Sequence, residues 1–294
     1  MIRNSLFIIL VTISATALGQ TGCIEGGPTL AYWKFDNPIR RETIIVLHGG
    51  PAATHQYLRP EFDSLFRMGT VIYYDQRGCG RSAHAENYHW KEHVQDLKRV
   101  IQAVSKNKKV ILVSSSWGSM LALLYSMTYP NDLKGIILSG NVSWMGENRD
   151  SVLSTKEYDR TKWNANPTIM PRIHREKKVR TIQIPGGNMT TDTILIEKYI
   201  PITEGLPMVE SLLSVRTAPS FNELNKIKIP VLLLTGSQNQ CKEIAEAYAS
   251  ILPNSELFAT PDGCHDPWIN NPEIFFKKCE EFIRRLPGNL RPGR

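Results

Sequence analysis

Short apolar runs that end in glycines or polar residues constrain the fold of this 294-residue chain more than any other feature. One run, Thr43–Leu47, is rich in β-branched residues, and a similar run lies at Val110–Val113. Such runs are typical of strands buried on both faces of a parallel sheet. A helical pattern separates these two, because apolar residues recur every three or four positions from Val94 to Val104. The same reading predicts further strands at 70–74, 133–140, 229–236 and around 257, and helices at 120–129, 242–251 and 273–285.

Alternating strands and helices predict the α/β class, with a mostly parallel sheet and helices on both of its faces. Between residues 142 and 219 this alternation stops, and charges, tryptophans and prolines are scattered without a clear period. We interpret that region as a cap inserted into a core formed by residues 20–141 and 220–294. A composition with 41% hydrophobic and 21% charged residues fits a globular protein and argues against disorder or a coiled coil.

The N-terminus has the pattern of a secretory signal peptide. Arg3 precedes an apolar run at 6–18, and small residues follow that run. We predict cleavage after Gly19, so that residues 1–19 are removed and the mature protein is secreted or periplasmic. The run is shorter than the roughly 20 residues that span a bilayer, so no stable membrane insertion is expected after removal. An uncleaved anchor and lipid attachment at Cys23 are the alternatives.

The formal net charge is +7, which falls to +6 when Arg3 is removed with the leader. A basic protein can bind nucleic acid, but such proteins carry a recognition motif that this sequence lacks. We therefore predict no nucleic-acid partner.

Chemically active residues follow the predicted strands. Because the carboxyl ends of parallel strands meet at one edge of the sheet, the residues that follow them are brought together. Ser116, Asn239 and His265 come after three of these strands. Their order along the chain is that of a serine, acid and histidine triad on this fold, except that an amide replaces the acid.

The segment 114–118, with the sequence SSSWG, has the pattern of a nucleophile elbow between a strand and a helix. Ser114 takes the place of the first glycine of G-x-S-x-G, and Ser116 is the predicted nucleophile. The backbone N–H groups of Trp117 and Gly50 are the predicted oxyanion donors. The competing interpretation is that these serines only cap the helix that follows, since serine is a good N-cap residue.

Several motifs in combination resemble the proline iminopeptidase-like branch of the α/β-hydrolases. They are HGGP at 48–51, YDQRGCGRS at 74–82, SWGS at 116–119, PVLLLTG at 230–236 and GCH at 263–265. The resemblance covers about residues 29–141 and 220–286. It implies an α/β-hydrolase fold and a serine hydrolase without a metal or organic cofactor. It also implies a short peptide as substrate, from which an N-terminal residue, often proline, is removed. We therefore predict a small-molecule or short-peptide substrate as the partner.

The main departure from that family is Asn239, which stands where the family has its catalytic aspartate. Replacing this carboxylate by an amide costs a serine protease about 10⁴ in rate. Three hypotheses follow. Asn239 orients His265 for slow turnover, or another carboxylate substitutes, or the protein has lost hydrolysis and acts as a binding protein. The substitute would be Asp266, Glu243 or Asp262, and Asp266 is expected to reach the ring awkwardly because it adjoins His265.

Charged residues of the cap and of the DQRG turn are the remaining candidates. Glu197, Glu204 and Glu210 are predicted to bind a substrate ammonium group. The first half of the cap is basic at 172–180, which favours an ester or an acidic substrate instead. Asp75 and Arg77 are predicted to form a buried ion pair that braces their loop. No metal site is predicted, because the histidines lack metal-binding spacing.

Five cysteines are present, an odd number without a C-x-x-C pair. Cys241 and Cys264 lie in loops that the predicted sheet brings together, so they are the first pair expected to form a disulfide if the chain is exported. The alternative is that all five are small buried residues.

Overall fold

The structure is a computed structural model that describes residues 21–141, 144, 169–183, 189–203 and 206–288. The predicted signal peptide at 1–19 lies outside these described residues, as does most of the first half of the predicted cap.

An eight-stranded sheet forms the core, with the strand order β1-β2-β4-β3-β5-β6-β9-β10. The pairs β1/β2 and β2/β4 are antiparallel, and every other neighbouring pair is parallel. The predicted mostly parallel sheet is therefore confirmed. The strands are β1 Gly22–Ile24, β2 Leu30–Phe35, β3 Glu42–Leu47, β4 Gly69–Tyr74, β5 Val110–Ser115, β6 Leu133–Ser139, β9 Val231–Gly236 and β10 Ser255–Thr260.

Helices cover both faces of this sheet. They are α1 Trp90–Ser105, α2 Trp117–Thr128, α3 Leu206–Ser214, α4 Asn239–Ile251, α5 Pro267–Asn270 and α6 Pro272–Arg285. Helix α2 ends two residues before Pro130, which lacks the N–H that a continuing helix needs. In the part of the chain that the structure describes, no helix has the length and apolarity needed to cross a membrane.

The core is divided by the sheet into two apolar clusters. Alternate residues of β3 point to opposite faces, so that Ile45 and Leu47 belong to one cluster and Ile44 and Val46 to the other. Helices α1, α2 and α4 pack in the first cluster, and α5 and α6 pack in the second. Burial on both faces explains why these strands are continuous apolar runs rather than alternating ones.

A second sheet lies within the predicted cap. It is an antiparallel pair of β7 Ile169–Gln183 and β8 Met189–Thr203, each of 15 residues. Strand β7 contacts α5, and β8 contacts the 3-10 helix His55–Leu58. The pair therefore lies at the carboxyl edge of the main sheet. These strands were not predicted from the sequence. Strand β7 shows no clear alternation of apolar and polar residues, and the alternation of isoleucines in β8 is interrupted at Lys198.

Candidate active site

Ser116 lies at the sharp turn between β5 and α2. Its φ of 56° and ψ of −120° fall in a region that serine rarely adopts. The turn is held by the Ser116 N–H, which donates to the Ser139 carbonyl at 2.9 Å. Gly118 allows the close approach of β3, since a methyl group on its α-carbon would lie 2.4 Å from the Leu47 carbonyl oxygen. The half-buried Ser116 side chain thus lies at the tip of a strained elbow of the kind that carries nucleophiles.

Ser114 occupies the elbow position where the motif has glycine, and its hydroxyl group is accommodated by hydrogen bonds. The fully buried Oγ donates to the Ile137 carbonyl at 3.0 Å and lies 3.1 Å from Ser119 Oγ. Because the buried hydroxyl is satisfied, it escapes the cost of an unpaired polar group. The serine side chain is therefore compatible with the turn.

His265 lies in the loop between β10 and α5 and faces Ser116. Its Nε2 is 3.1 Å from Ser116 Oγ, within the distance at which a base can take the hydroxyl proton. Gly140, at the end of β6, makes room for this contact, because a methyl group there would lie 2.6 Å from the His265 carbonyl oxygen. Residues 149 positions apart in the chain are thus brought together by the sheet.

The other ring nitrogen of His265 contacts a carboxylate. Nδ1 lies 2.9 Å from Asp266 Oδ1, and the Asp266 side chain is 3% exposed. Asn239, predicted in the acid's place, is the exposed first residue of α4, and the described residues include no hydrogen bond between it and His265. The expectation that Asp266 would reach the ring awkwardly is wrong. Pro267 disfavours the helical region for the preceding residue, and Asp266 has φ −115° and ψ 71°.

The loop at 48–51, which carries the predicted donor Gly50 and is called the predicted oxyanion loop below, is packed against Ser116. Gly50 has a φ of 123°, and a methyl group there would lie 2.3 Å from the backbone nitrogen of Ala52. A methyl group on Gly49 would lie 2.9 Å from Ser116 Cβ. The Gly49 N–H donates to Tyr57 Oη at 2.8 Å, so it is already occupied. Glycine at both positions is therefore required for the loop to approach the elbow.

His48 fixes the direction of this loop. Its Nε2 accepts the Gln76 N–H at 3.0 Å, so its proton is on Nδ1, which donates to the Gly49 carbonyl at 2.8 Å. Burial lowers the pKa of His48 to about 4, and the imidazole is neutral at pH 7. Because C=O and N–H point in opposite directions across a trans peptide, anchoring the Gly49 carbonyl turns the Gly50 N–H away from His48.

Gln76 connects this loop to Trp117, and sequence analysis did not single it out. Its side-chain amide donates to the His48 carbonyl at 2.8 Å and accepts from Trp117 Nε1 at 2.8 Å. Its position inside the DQRG motif was the available signal, but the prediction considered only the charged residues of that motif, Asp75 and Arg77. The buried Gln76 thus supports both predicted oxyanion donors from behind.

Asp75 and Arg77 are both buried and both brace loops, but they do not pair with each other as predicted. Asp75 Oδ1 lies 2.8 Å from His55 Nδ1. Although burial alone raises the pKa of Asp75, the His55 contact lowers it below its ordinary value. Arg77 binds Asp96 of α1 with two hydrogen bonds, at 2.7 and 2.9 Å. Both residues follow the end of β4 at Tyr74, and Arg77 lies in the turn after it, so the two side chains reach separate partners.

The three candidate substrate carboxylates come from different parts of the predicted cap. Glu197 lies on β8, in register with Arg175 of β7. Glu204 lies outside the described residues. Glu210 is a half-buried residue of α3. Among the residues that the structure describes, no three His, Cys, Asp or Glu side chains are arranged to hold a metal ion.

Cys241 and Cys264 form a disulfide, as expected from their converging loops. Two backbone hydrogen bonds join the same loops, from the Gly236 N–H to the Cys264 carbonyl at 3.1 Å and from the Gln238 N–H to the Gly263 carbonyl at 3.2 Å. The residue next to His265 is therefore tied covalently to the first turn of α4.

Known proteins that resemble this chain are hydrolases of the α/β-hydrolase fold. A family model for the alpha/beta hydrolase fold matches residues 42–178. A proline iminopeptidase from Saccharolobus solfataricus is 35% identical over 263 residues, which cover 83% of this chain and 85% of that protein.

Two solved structures show the same fold at low sequence identity. A thermophilic esterase from Thermogutta terrifontis superposes with a TM-score of 0.65 at 17% identity, covering 88% of this chain and 94% of the esterase. A proline iminopeptidase from Mycobacterium smegmatis gives a TM-score of 0.61 at 16% identity, covering 90% of this chain and 97% of that chain.

Proposed function

Because this chain belongs to the proline iminopeptidase-like α/β-hydrolases, we propose that it is a serine hydrolase with Ser116 as nucleophile and His265 as general base. The observation that carries the proposal is the 3.1 Å contact between Ser116 Oγ and His265 Nε2 at a strained elbow. Serine is a poor nucleophile until a base takes its proton, and the elbow presents Ser116 to that base.

The proposed reaction proceeds in two balanced steps. Ser116 Oγ attacks the substrate carbonyl carbon as His265 takes the hydroxyl proton, and the Gly50 and Trp117 N–H groups stabilise the oxyanion. Collapse of this intermediate expels the amine or alcohol, which takes the proton from His265. Water, activated by His265, then releases the acyl group and restores the Ser116 hydroxyl.

The proposed substrate is a small peptide that loses its N-terminal residue, or a small ester. The similarity to proline iminopeptidases favours the first, and the basic segment at 172–180 of the cap favours an ester or an acidic substrate. A panel of a proline arylamide and short p-nitrophenyl esters separates these classes, since each substrate represents one class. Each releases a coloured product, which measures its hydrolysis.

Labelling with a fluorophosphonate probe tests the mechanism. We expect the wild-type protein to be labelled once, at Ser116, and the Ser116→Ala variant to remain unlabelled and to lose hydrolysis on every substrate of the panel. Ser250→Ala, at an exposed serine of α4, is the matched control and retains labelling. A folded wild-type protein that neither reacts with the probe nor hydrolyses the panel would contradict the proposal. It would favour the binding-protein hypothesis if Ser116→Ala still binds ligand.

We also propose export with removal of residues 1–19, which the Cys241–Cys264 disulfide supports, since disulfides persist mainly in oxidising compartments. N-terminal sequencing of the protein from cell fractions tests this proposal. We expect Gln20 as the first residue of a secreted or periplasmic form. Intact Met1 in the cytoplasmic fraction would contradict it.

A further inference from the structure

We propose that Asp266 is the carboxylate that positions His265 for catalysis, a role that rests on the proposed hydrolase function. The contact is direct, with 2.9 Å between Asp266 Oδ1 and His265 Nδ1. The carboxylate is 3% exposed, whereas the His265 side chain is 38% exposed. A buried carboxylate next to a more accessible imidazole acts with little competition from water.

The backbone of Asp266 shows that its side chain serves the ring rather than the helix. Asp266 is the N-cap residue of α5, a position where aspartate usually accepts an N–H from the first turn. Here the carboxylate does not cap the helix, and the Asp266 backbone carbonyl accepts from the Ile269 N–H at 3.0 Å. Pro267 at the first helical position keeps Asp266 out of the helical region. The carboxylate is thereby left to face His265.

The segment that carries the acid in the family resemblance has a different role here. Asn239 is exposed and uncharged, so it cannot stabilise an imidazolium ion. Its segment instead holds the main chain beside His265, through the disulfide to Cys264 and the Gly236 N–H bond to the Cys264 carbonyl. An aspartate at position 239 would supply the carboxylate and also anchor the loop that carries His265. Here Asp266 supplies the carboxylate, and the segment 236–241 anchors the loop.

The chemistry that follows matches a triad. Asp266 accepts the Nδ1–H of His265, which fixes the tautomer with a free lone pair on Nε2 toward Ser116. When Nε2 takes the Ser116 proton, the adjacent carboxylate stabilises the imidazolium. The field of Asp266 also reaches the oxyanion loop, because burial and this negative charge together raise the pKa of Tyr57, whose Oη accepts the Gly49 N–H.

The principal test compares Asp266→Asn with Asp262→Asn, which removes a carboxylate from an exposed site of the same loop. Asparagine tolerates the φ of 57° at position 262. On the substrate that the wild type hydrolyses best, we expect Asp266→Asn to lower kcat by about 10³ to 10⁴-fold with little change in KM. Asp262→Asn should stay within about 2-fold of wild type. Adding Asn239→Asp to Asp266→Asn tests whether a carboxylate at position 239 can rescue activity.

A proton NMR measurement tests the contact without using activity. A hydrogen bond between His265 Nδ1–H and a buried carboxylate gives a far-downfield resonance when the ring is protonated. We expect it in the wild type and in Ser116→Ala, and expect it to be lost in Asp266→Asn but kept in Asp262→Asn.

The outcomes separate the inference from the proposed function. An active wild type whose kcat and downfield resonance survive Asp266→Asn overturns the role of Asp266 but leaves the hydrolase proposal intact. An inert wild type that keeps an Asp266-dependent resonance overturns the hydrolase function, while the contact stands. If Asp266→Asn does not fold, the wild-type spectrum decides, because absence of the resonance in wild type and in Ser116→Ala overturns the inference.

Discussion

Ser116 adopts a backbone conformation that its neighbours impose. A φ of 56° costs a non-glycine residue on the order of 1–3 kcal/mol, and such strain persists only where the surroundings over-determine it. Here β5 and α2 are fixed by burial on both sides, and Gly118 and Gly140 remove the methyl groups that would separate the elbow from β3 and His265. The position of Ser116, the proposed nucleophile, is therefore a property of the core and not of the serine itself.

Gln76 offers a test of how the oxyanion loop is held. Replacing it by methionine keeps the volume but removes the amide that joins the His48 carbonyl to Trp117 Nε1. We expect kcat to fall about 10 to 100-fold with KM nearly unchanged, because the oxyanion donors lose their alignment. Steady-state kinetics on the best ester or arylamide measure this change.

The matched control for Gln76→Met is Gln102→Met on the exposed face of α1, which should leave both constants unchanged. If Gln76→Met raises KM and leaves kcat unchanged, Gln76 acts in substrate binding and the alignment argument is wrong.

The residues of the site differ in how far the sequence could predict them. Ser116, Gly50 and Trp117 follow from strand ends and glycine-rich motifs, which define backbone positions. Asp266 does not, because adjacency to His265 fixes its distance along the chain but not the direction of its side chain. That direction depends on the restriction that Pro267 places on the Asp266 backbone and on where α5 begins. Tertiary packing decides where α5 begins.

At the scale of elements, strands buried on both faces were the most predictable. The predicted run at 43–47 became β3, and the run at 110–113 became β5 with two additional residues. Strands β7 and β8 were not predicted, since β7 lacks the period that half-buried strands show and β8 shows it with an interruption at Lys198. Strand β2, an antiparallel neighbour of β4, was also not predicted, although it has six residues like β3 and β5.

The disulfide joins α4 to the loop at 261–266 that carries His265, called the histidine loop here. It is expected to support both stability and turnover. Cys241 and Cys264 are 23 residues apart, and closing a loop of this length contributes about 3 kcal/mol by restricting the unfolded chain. We expect the double variant Cys241→Ser/Cys264→Ser to lose about that much in urea denaturation. It should also lose several-fold in kcat, because the main chain beside His265 is freed.

Reduction provides the matching experiment. Dithiothreitol should bring wild type to the stability and kcat of the double variant and leave the double variant unchanged. Cys23→Ser, at an exposed cysteine outside the disulfide, is the control and should behave as wild type before and after reduction. A double variant with unaltered kcat would show that the two backbone hydrogen bonds hold the histidine loop without the disulfide.

At the scale of the whole molecule, two buried histidines couple the fold to pH. His48 lies behind the oxyanion loop, and His93 of α1 contacts Ser211 of α3 with 2.8 Å between Nε2 and Oγ. Burial lowers the pKa of His48 from 6.5 to about 4 and that of His93 to about 3. Both rings are therefore neutral in the folded protein at pH values where they are charged in the unfolded chain.

This difference predicts acid sensitivity with a defined slope. Between pH 6.5 and about 4 the unfolded chain binds two more protons than the folded protein through these rings, so stability is full above pH 6.5 and falls as pH decreases. Each proton changes the free energy of unfolding by about 1.4 kcal/mol per pH unit, so the slope for the two rings together is about 3 kcal/mol per pH unit. Urea denaturation at a series of pH values measures this slope.

His93→Gln distinguishes these rings from the general effect of net charge. The variant keeps a polar side chain toward Ser211 and removes one titrating group, so we expect the slope between pH 6 and 4 to fall by about half relative to wild type. Lys108→Gln removes one positive charge from an exposed loop and leaves both buried imidazoles in place, so its slope should equal that of wild type. If Lys108→Gln reduces the slope as much as His93→Gln does, repulsion among surface charges, rather than burial of the two imidazoles, governs unfolding in acid.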